Sequence, residues 1–154
     1  MKSFRHSAGF GKRIEFWVIG EMLKQNFDVY IPLVDDRGVD AIVRRSDGSF
    51  LEIQIKARSK NIKESNAALF AAITHEDRPN YCFVFYSDRL KTTWIMSSKE
   101  FIKEANQNVN GKNKGKYSIW FNGCRKNGDD VAEAYAFPRF EKYVCNDFER
   151  LNTI

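Results

Sequence analysis

Residues Glu52, Gln54 and Lys56 alternate along Phe50-Leu51-Glu52-Ile53-Gln54-Ile55-Lys56-Ala57. In an extended strand, alternate side chains share one face and stand roughly 7 Å apart, within reach of one ion and one phosphate. Asp40 lies in the preceding segment, Val39 to Arg44, and Ser46-Asp47-Gly48-Ser49 between them is a tight-turn sequence. A hairpin there lays the strand of Asp40 against the strand of Gln54 and Lys56. Hydrolysis of a phosphodiester needs a hard cation on oxygen ligands, to polarise the phosphoryl group and activate a water. It also needs a positive group where charge develops. Asp40 and the Gln54 side-chain oxygen can hold Mg2+ or Mn2+, and Lys56 can supply the positive charge.

Glu15 joins this group by a different argument. Ile14, Trp17, Val18, Ile19, Met22 and Leu23 recur at spacings of three and four, which predicts a helix from Gly11 to about Asn26. Val18, Ile19 and Met22 fall three, four and seven places beyond Glu15, so its carboxylate belongs to the buried face. A carboxylate there is costly unless it is paired or bound to a metal. The alternative is a first-turn acid favoured by the helix dipole. Glu21 lies nearer the polar side and is the second choice.

The elements that must position these residues follow from the same patterns. Phe27 to Ile31 reads as a strand ended by Pro32, and Asp35-Asp36-Arg37-Gly38 as a turn. Phe50 to about Ala57 is a strand with Leu51, Ile53 and Ile55 on its apolar face. Ala67 to Ile73 reads as a short helix. Tyr81 to Tyr86 is an almost continuous apolar run, as in a strand covered on both faces, and Thr92 to Met96 is its hairpin partner. Ser97 or Ser98 caps a helix running to about Gln107. A glycine–lysine loop, Gly111 to Lys116, precedes a strand from Tyr117 to Phe121. Asn122 to Asp130 reads as turn, and Pro138 onward as helical. The reading is one α/β domain over residues 1–154, a central mixed β-sheet flanked by helices.

Bulk properties agree with that reading. The 154 residues are 43% hydrophobic and 29% charged, which is globular composition. The net charge of +5 favours a polyanionic partner. Cys82, Cys124 and Cys145 have neither disulfide-framework nor zinc-site spacing. His6 and His75 are too scattered for a histidine metal site. Reduced thiols, no apolar leader and no apolar run of membrane length predict a soluble, cytoplasmic protein.

The order of a helix with Gly11-Lys12-Arg13-Ile14-Glu15, then Gly38-Val39-Asp40, then Ile53-Gln54-Ile55-Lys56 resembles the PD-(D/E)XK nuclease superfamily. Within it, the order is similar to archaeal Holliday-junction resolvases and to group I intron homing endonucleases of this restriction-endonuclease-like fold. The resemblance spans residues 9 to 60 by motif. It implies that Glu15, Asp40 and Gln54 contribute to a metal site, and that Lys56 orients or activates the attacking water. Gln54 stands where an acid is usual, and a neutral amide is a weaker ligand. Glu52 on the same face could compensate, so a QxK and an ExQ register both stay open.

Arg44, Arg45, Arg58, Lys60 and Lys63 around the hairpin, with Lys112, Lys114 and Lys116 in the glycine–lysine loop, are candidate contacts to DNA phosphates. The loop lacks the P-loop pattern. Trp94 and Trp120 read as core, His75 as the end of a helix. The expected activity is divalent-metal-dependent endonucleolytic hydrolysis of DNA, with a homodimer or higher homo-oligomer cutting both strands. The alternatives are a non-catalytic nucleic-acid-binding module of the same fold, and a partner-binding protein of a defence or toxin system.

Overall fold

The computed structural model describes residues 4–35, 37–128 and 131–154, with the side chains of residues 4–7, 127 and 131 left aside. Met1 to Ser3, Asp36, Asp129 and Asp130 lie outside it. With them go the amino-terminal segment read for a leader, and parts of the two turns expected at Asp35–Gly38 and Asn122–Asp130. His6, set aside above as a metal ligand, lies among the side chains not described.

Helix α1 (Phe4–Lys24) begins earlier than its apolar spacing predicts, and buries Val18, Ile19 and Met22. Strands β1 (Asp28–Tyr30), β2 (Ala41–Arg44) and β3 (Phe50–Arg58) follow. Then come β4 (Leu69–Ile73), β5 (Tyr81–Ser87) and β6 (Thr92–Ser97). Helix α2 (Ser98–Glu104) carries a full capping box, Ser97 bonding the Glu100 amide and Glu100 returning the bond. The rest comprises β7 (Asn106–Gln107), β8 (Tyr117–Trp120), β9 (Asn122–Asn127) and β10 (Val131–Ala136).

The central sheet has the order β1-β2-β3-β5-β6. Only β3 and β5 run parallel, with Gln54 opposite Phe83 and Lys56 opposite Phe85. The β2–β3 hairpin is antiparallel, Ala41 facing Ile53 and Arg44 facing Phe50. Every residue of β5 is buried, as its apolar run requires. One face of the sheet packs α1 and the carboxy-terminal Phe148 and Leu151 against Val43, Leu51, Ile53 and Val84. The other face is an aromatic core: Phe83, Phe85, Trp94, Phe101, Phe121 and Phe140, with Trp94 stacked on Phe121 at 4.6 Å.

The sequence reading differs from the structure at several places. The Ala67–Ile73 helix is a strand: β4 pairs with β8, and a register shift between Phe70 and Ile73 places both in the core. The three-residue spacing that imitates a helical turn is a β-bulge, with Ala72 at φ 57°. The turn from Asn122 is a two-stranded ribbon, β9 with β10, whose few buried positions leave no alternating pattern to read. The helix expected to reach Gln107 stops at Glu104, and Asn106–Gln107 join β8. After Pro138 there are only two 3-10 turns, Pro138–Tyr143 and Glu149–Asn152. The far face of the sheet is therefore covered by a three-stranded sheet, β4-β8-β7, and α2 rather than by helices alone. Trp94 is core, but Trp120 is 44% exposed and donates its Nε1–H to the Ser65 carbonyl at 2.9 Å. No described helix is long and apolar enough to cross a membrane.

Candidate active site

Strand β2 begins only at Ala41, opposite Ile53, while antiparallel β3 continues to Arg58, so the β3 backbone beyond Ile53 loses its partner on that side. Asp40 takes the partner's place. Its amide donates to the Ile53 carbonyl at 2.8 Å, and its Oδ2 accepts from the Ile55 amide at 2.7 Å. Ile55 lies between Gln54 and Lys56, so the carboxylate is anchored to the segment that carries the other two candidates.

The surroundings of Asp40 are electrostatically strained. Burial pushes its carboxyl above the ordinary value of 3.8 and the Ile55 N–H opposes this; Glu15 and Asp35 add to the rise, and Lys56 pulls it down. Glu15 and Asp35 are thus close enough to act on Asp40, and so is the lysine. Glu15 is half-buried at the edge of the apolar face of α1 and forms an ion pair with Lys12. That bond raises the lysine pKa. Glu21, the second choice, pairs with Lys24 instead.

Gln54 is held by two groups that local spacing does not reveal. Gly38 has φ +67°, and a Cβ on it would fall 2.4 Å from Gln54 Nε2. Only glycine gives both that backbone and that space. The Tyr81 hydroxyl lies 2.8 Å from the Gly38 carbonyl and 3.2 Å from Gln54 Oε1. One phenolic proton serves both oxygens, the nearer carbonyl taking the larger share. Burial pushes the Tyr81 phenol well above its ordinary value, so it stays a donor.

Glu52 is engaged elsewhere. It forms an ion pair with Arg78, whose guanidinium lies 4.3 Å from the Tyr81 ring centre and also bonds the Arg37 carbonyl at 3.0 Å. His75 reads differently too: it is no helix end but stacks on Tyr81 and bonds the Ser98 hydroxyl at 2.7 Å. Gln54, Lys56, Arg58, His75 and Tyr81 line one cleft of about 910 Å3.

Asp40, Gln54 and Lys56 thus meet at one end of the β2–β3 hairpin, and Glu15 on α1 acts electrostatically on Asp40, but the cleft is lined by Gln54 and Lys56 and not by Asp40 or Glu15. Among the described residues no group of three or more His, Cys, Asp or Glu side chains could hold a metal ion. The donor set here mixes a carboxylate with an amide oxygen. Hard oxygen donors in that small number suit Mg2+, which keeps several waters and uses one or two carboxylates plus substrate phosphate.

The expected phosphate contacts divide. Arg58 lines the cleft, and Lys60 is exposed beyond it. Lys112, Lys114 and Lys116 lie in the β7–β8 loop, which leaves β8 at Tyr117, opposite the cleft residue Ile73. Arg44 sits at the other end of β2, roughly 13 Å along the strand from Asp40. Arg45 is occupied with the Leu151 and Ile154 carbonyls. Asp35, Tyr81 and Arg78 escaped the sequence reading. Only Asp35 had a signal, its place in the turn before Gly38.

No family model and no curated protein sequence matches this chain. Among solved structures the fold is similar to that of a bacterial homing endonuclease, I-Ssp6803I, with a TM-score of 0.53 and 19% sequence identity. The likeness covers 87% of this chain and 85% of that one. The chain therefore has an endonuclease-like α/β fold.

Proposed function

We propose that the protein is a divalent-metal-dependent DNA endonuclease of PD-(D/E)XK type. The observation that carries this reading is the Asp40 carboxylate bound to the Ile55 amide, between Gln54 and Lys56. The name of the structural neighbour points the same way. Asp40 and Gln54 Oε1 would hold Mg2+ or Mn2+, with Glu15 adding negative charge behind them. The metal supplies Lewis-acid polarisation of the phosphoryl group and a water of lowered pKa. The chain's own part is placement. Asp40 is fixed by β3, Gln54 is seated on Gly38 under Tyr81, and Lys56 presents an ammonium to the attacking water and to the charge that develops. Each chain carries one such site, so cutting both strands calls for two copies.

In a nicking assay on supercoiled DNA with Mg2+ or Mn2+, Asp40→Ala and Lys56→Ala should each abolish cleavage without altering the circular dichroism spectrum. Retained cleavage in both variants would overturn the assignment.

A second reading rests on Tyr81 contacting Gln54 and Arg78 pairing with Glu52. If those bonds persist with DNA bound, the site is short of ligands and the fold serves as a non-catalytic nucleic-acid-binding module. Salt-dependent DNA binding with no turnover in any divalent metal would establish it.

A further inference from the structure

Arg58 is the last residue of β3 and stands two positions beyond Lys56, on the face that carries Glu52, Gln54 and Lys56. It is half-buried in the wall of the cleft, and its Nε is shut off from solvent without a hydrogen-bond partner. Among the other half-buried arginines, Arg78 pairs with Glu52, Arg89 with Glu64 and Arg150 with Glu100, while Arg45 bonds the Leu151 and Ile154 carbonyls. Arg58 has no counter-ion among the described residues, and burial alone, with no charged neighbour, lowers its pKa. The acids that line the cleft, Glu76 and Asp77, stand on the loop between β4 and β5, where Asp77 accepts from Ser98 at 3.1 Å.

A desolvated cation with an idle donor is costly unless an anion completes it. The two terminal nitrogens of the planar guanidinium match the oxygens of a phosphate, which supplies the missing counter-charge. The cleft is open to solvent and also lined by Lys56, so the chain that presents a phosphate to Lys56 passes Arg58 next.

We propose that the cleft is a phosphate subsite in which Arg58 seats the phosphate next to the scissile one on the same strand. This rests on the nuclease reading above for the word scissile, but the subsite itself needs neither metal nor turnover. It fixes the register of the strand over Lys56 with a contact that carries no base information.

The test follows the Arg58 Nε–H resonance of the full chain by nitrogen-15 NMR, without metal. Inorganic phosphate and a dinucleoside monophosphate are the two probes. The resonance should move with at least one of them, and Arg58→Gln should weaken binding by at least about tenfold, while Arg58→Lys, which keeps the charge but not the fork, should retain only part of it. Tighter binding of inorganic phosphate would mark a site for a strand end. Tighter binding of the dinucleoside monophosphate would mark one for an internal phosphodiester. An Arg58 resonance unmoved by both probes, or Arg58→Gln binding as tightly as the native protein, would overturn the subsite. Phosphate binding at Arg58 without DNA cleavage would sink the nuclease reading alone. Cleavage with an unmoved Arg58 would sink the subsite alone.

Discussion

The Asp40 carboxylate and the Ile55 amide are joined at 2.7 Å, where the β2–β3 ladder has run out of partners. A hydrogen bond that would otherwise have belonged to the sheet has gone to a candidate metal ligand. Asp40 therefore has a structural role and a chemical one, and its substitutions separate them.

Asp40→Asn keeps an acceptor for the Ile55 amide and removes the charge. Because the folded carboxyl titrates above 3.8, the folded state binds the proton more tightly than the unfolded chain. Stability then falls as pH rises from below 3.8 through the raised value. Relative to the native protein, Asp40→Asn should gain stability at neutral pH in metal-free buffer, and the gain should vanish in acid. Urea unfolding at several pH values checks this; an asparagine variant that is less stable at neutral pH than in acid, relative to the native chain, contradicts it.

Metal binding needs Asp40 ionised, so the apparent Mn2+ affinity should climb with pH through a midpoint above the ordinary aspartate value, that of the metal-free carboxyl. Titrations of Mn2+ into the protein with DNA present, at several pH values, read the midpoint. An affinity already independent of pH at 3.8 would remove Asp40 from the metal site.

Much of this arrangement is legible in the sequence because its geometry is local. The tight turn at Ser46–Ser49 places β2 beside β3, and period-two alternation puts Gln54 and Lys56 on one face. The buried run of β5 is equally plain. What escapes is decided by partners distant along the chain. Tyr81 reads as one more apolar strand residue until its hydroxyl is seen against Gly38 and Gln54. Phe70 and Ile73 imitate a helix because a bulge skips a residue between them. Glu52 looks interchangeable with Gln54 until Arg78, from the loop before β5, claims it.

Gly38→Ala should be destabilising by about 1–3 kcal/mol, since an alanine at positive φ is strained and its Cβ would collide with the Gln54 amide. Because Gln54 must move, cleavage should fall more than folding does. Denaturant titration alongside single-turnover rates would show this; unchanged rates would mean that the placement of Gln54 is immaterial.

Glu52→Gln distinguishes the two ligand registers. With Glu52 committed to Arg78, on a partly exposed pair, the variant should lose at most about 1 kcal/mol of stability and keep its cleavage. Abolished cleavage in a folded variant would transfer the ligand role from Gln54 to Glu52.

Asn122 is buried and ties three segments: its Oδ1 accepts from the Ala68 amide at 2.8 Å, and its Nδ2 donates to the Glu64 and Gly123 carbonyls, each at 3.1 Å. Asn122→Ala would orphan the Ala68 amide and should cost about 2–4 kcal/mol. A loss under half that, measured by urea unfolding, would show that water replaces the side chain.

The most direct measurement is a calorimetric titration of Mn2+ into the protein with duplex DNA present, beside the Asp40→Ala variant. The account predicts saturable metal binding by the native chain that disappears in Asp40→Ala while DNA binding persists. Equal metal binding by both proteins, or none by either, would contradict a metal site built on Asp40.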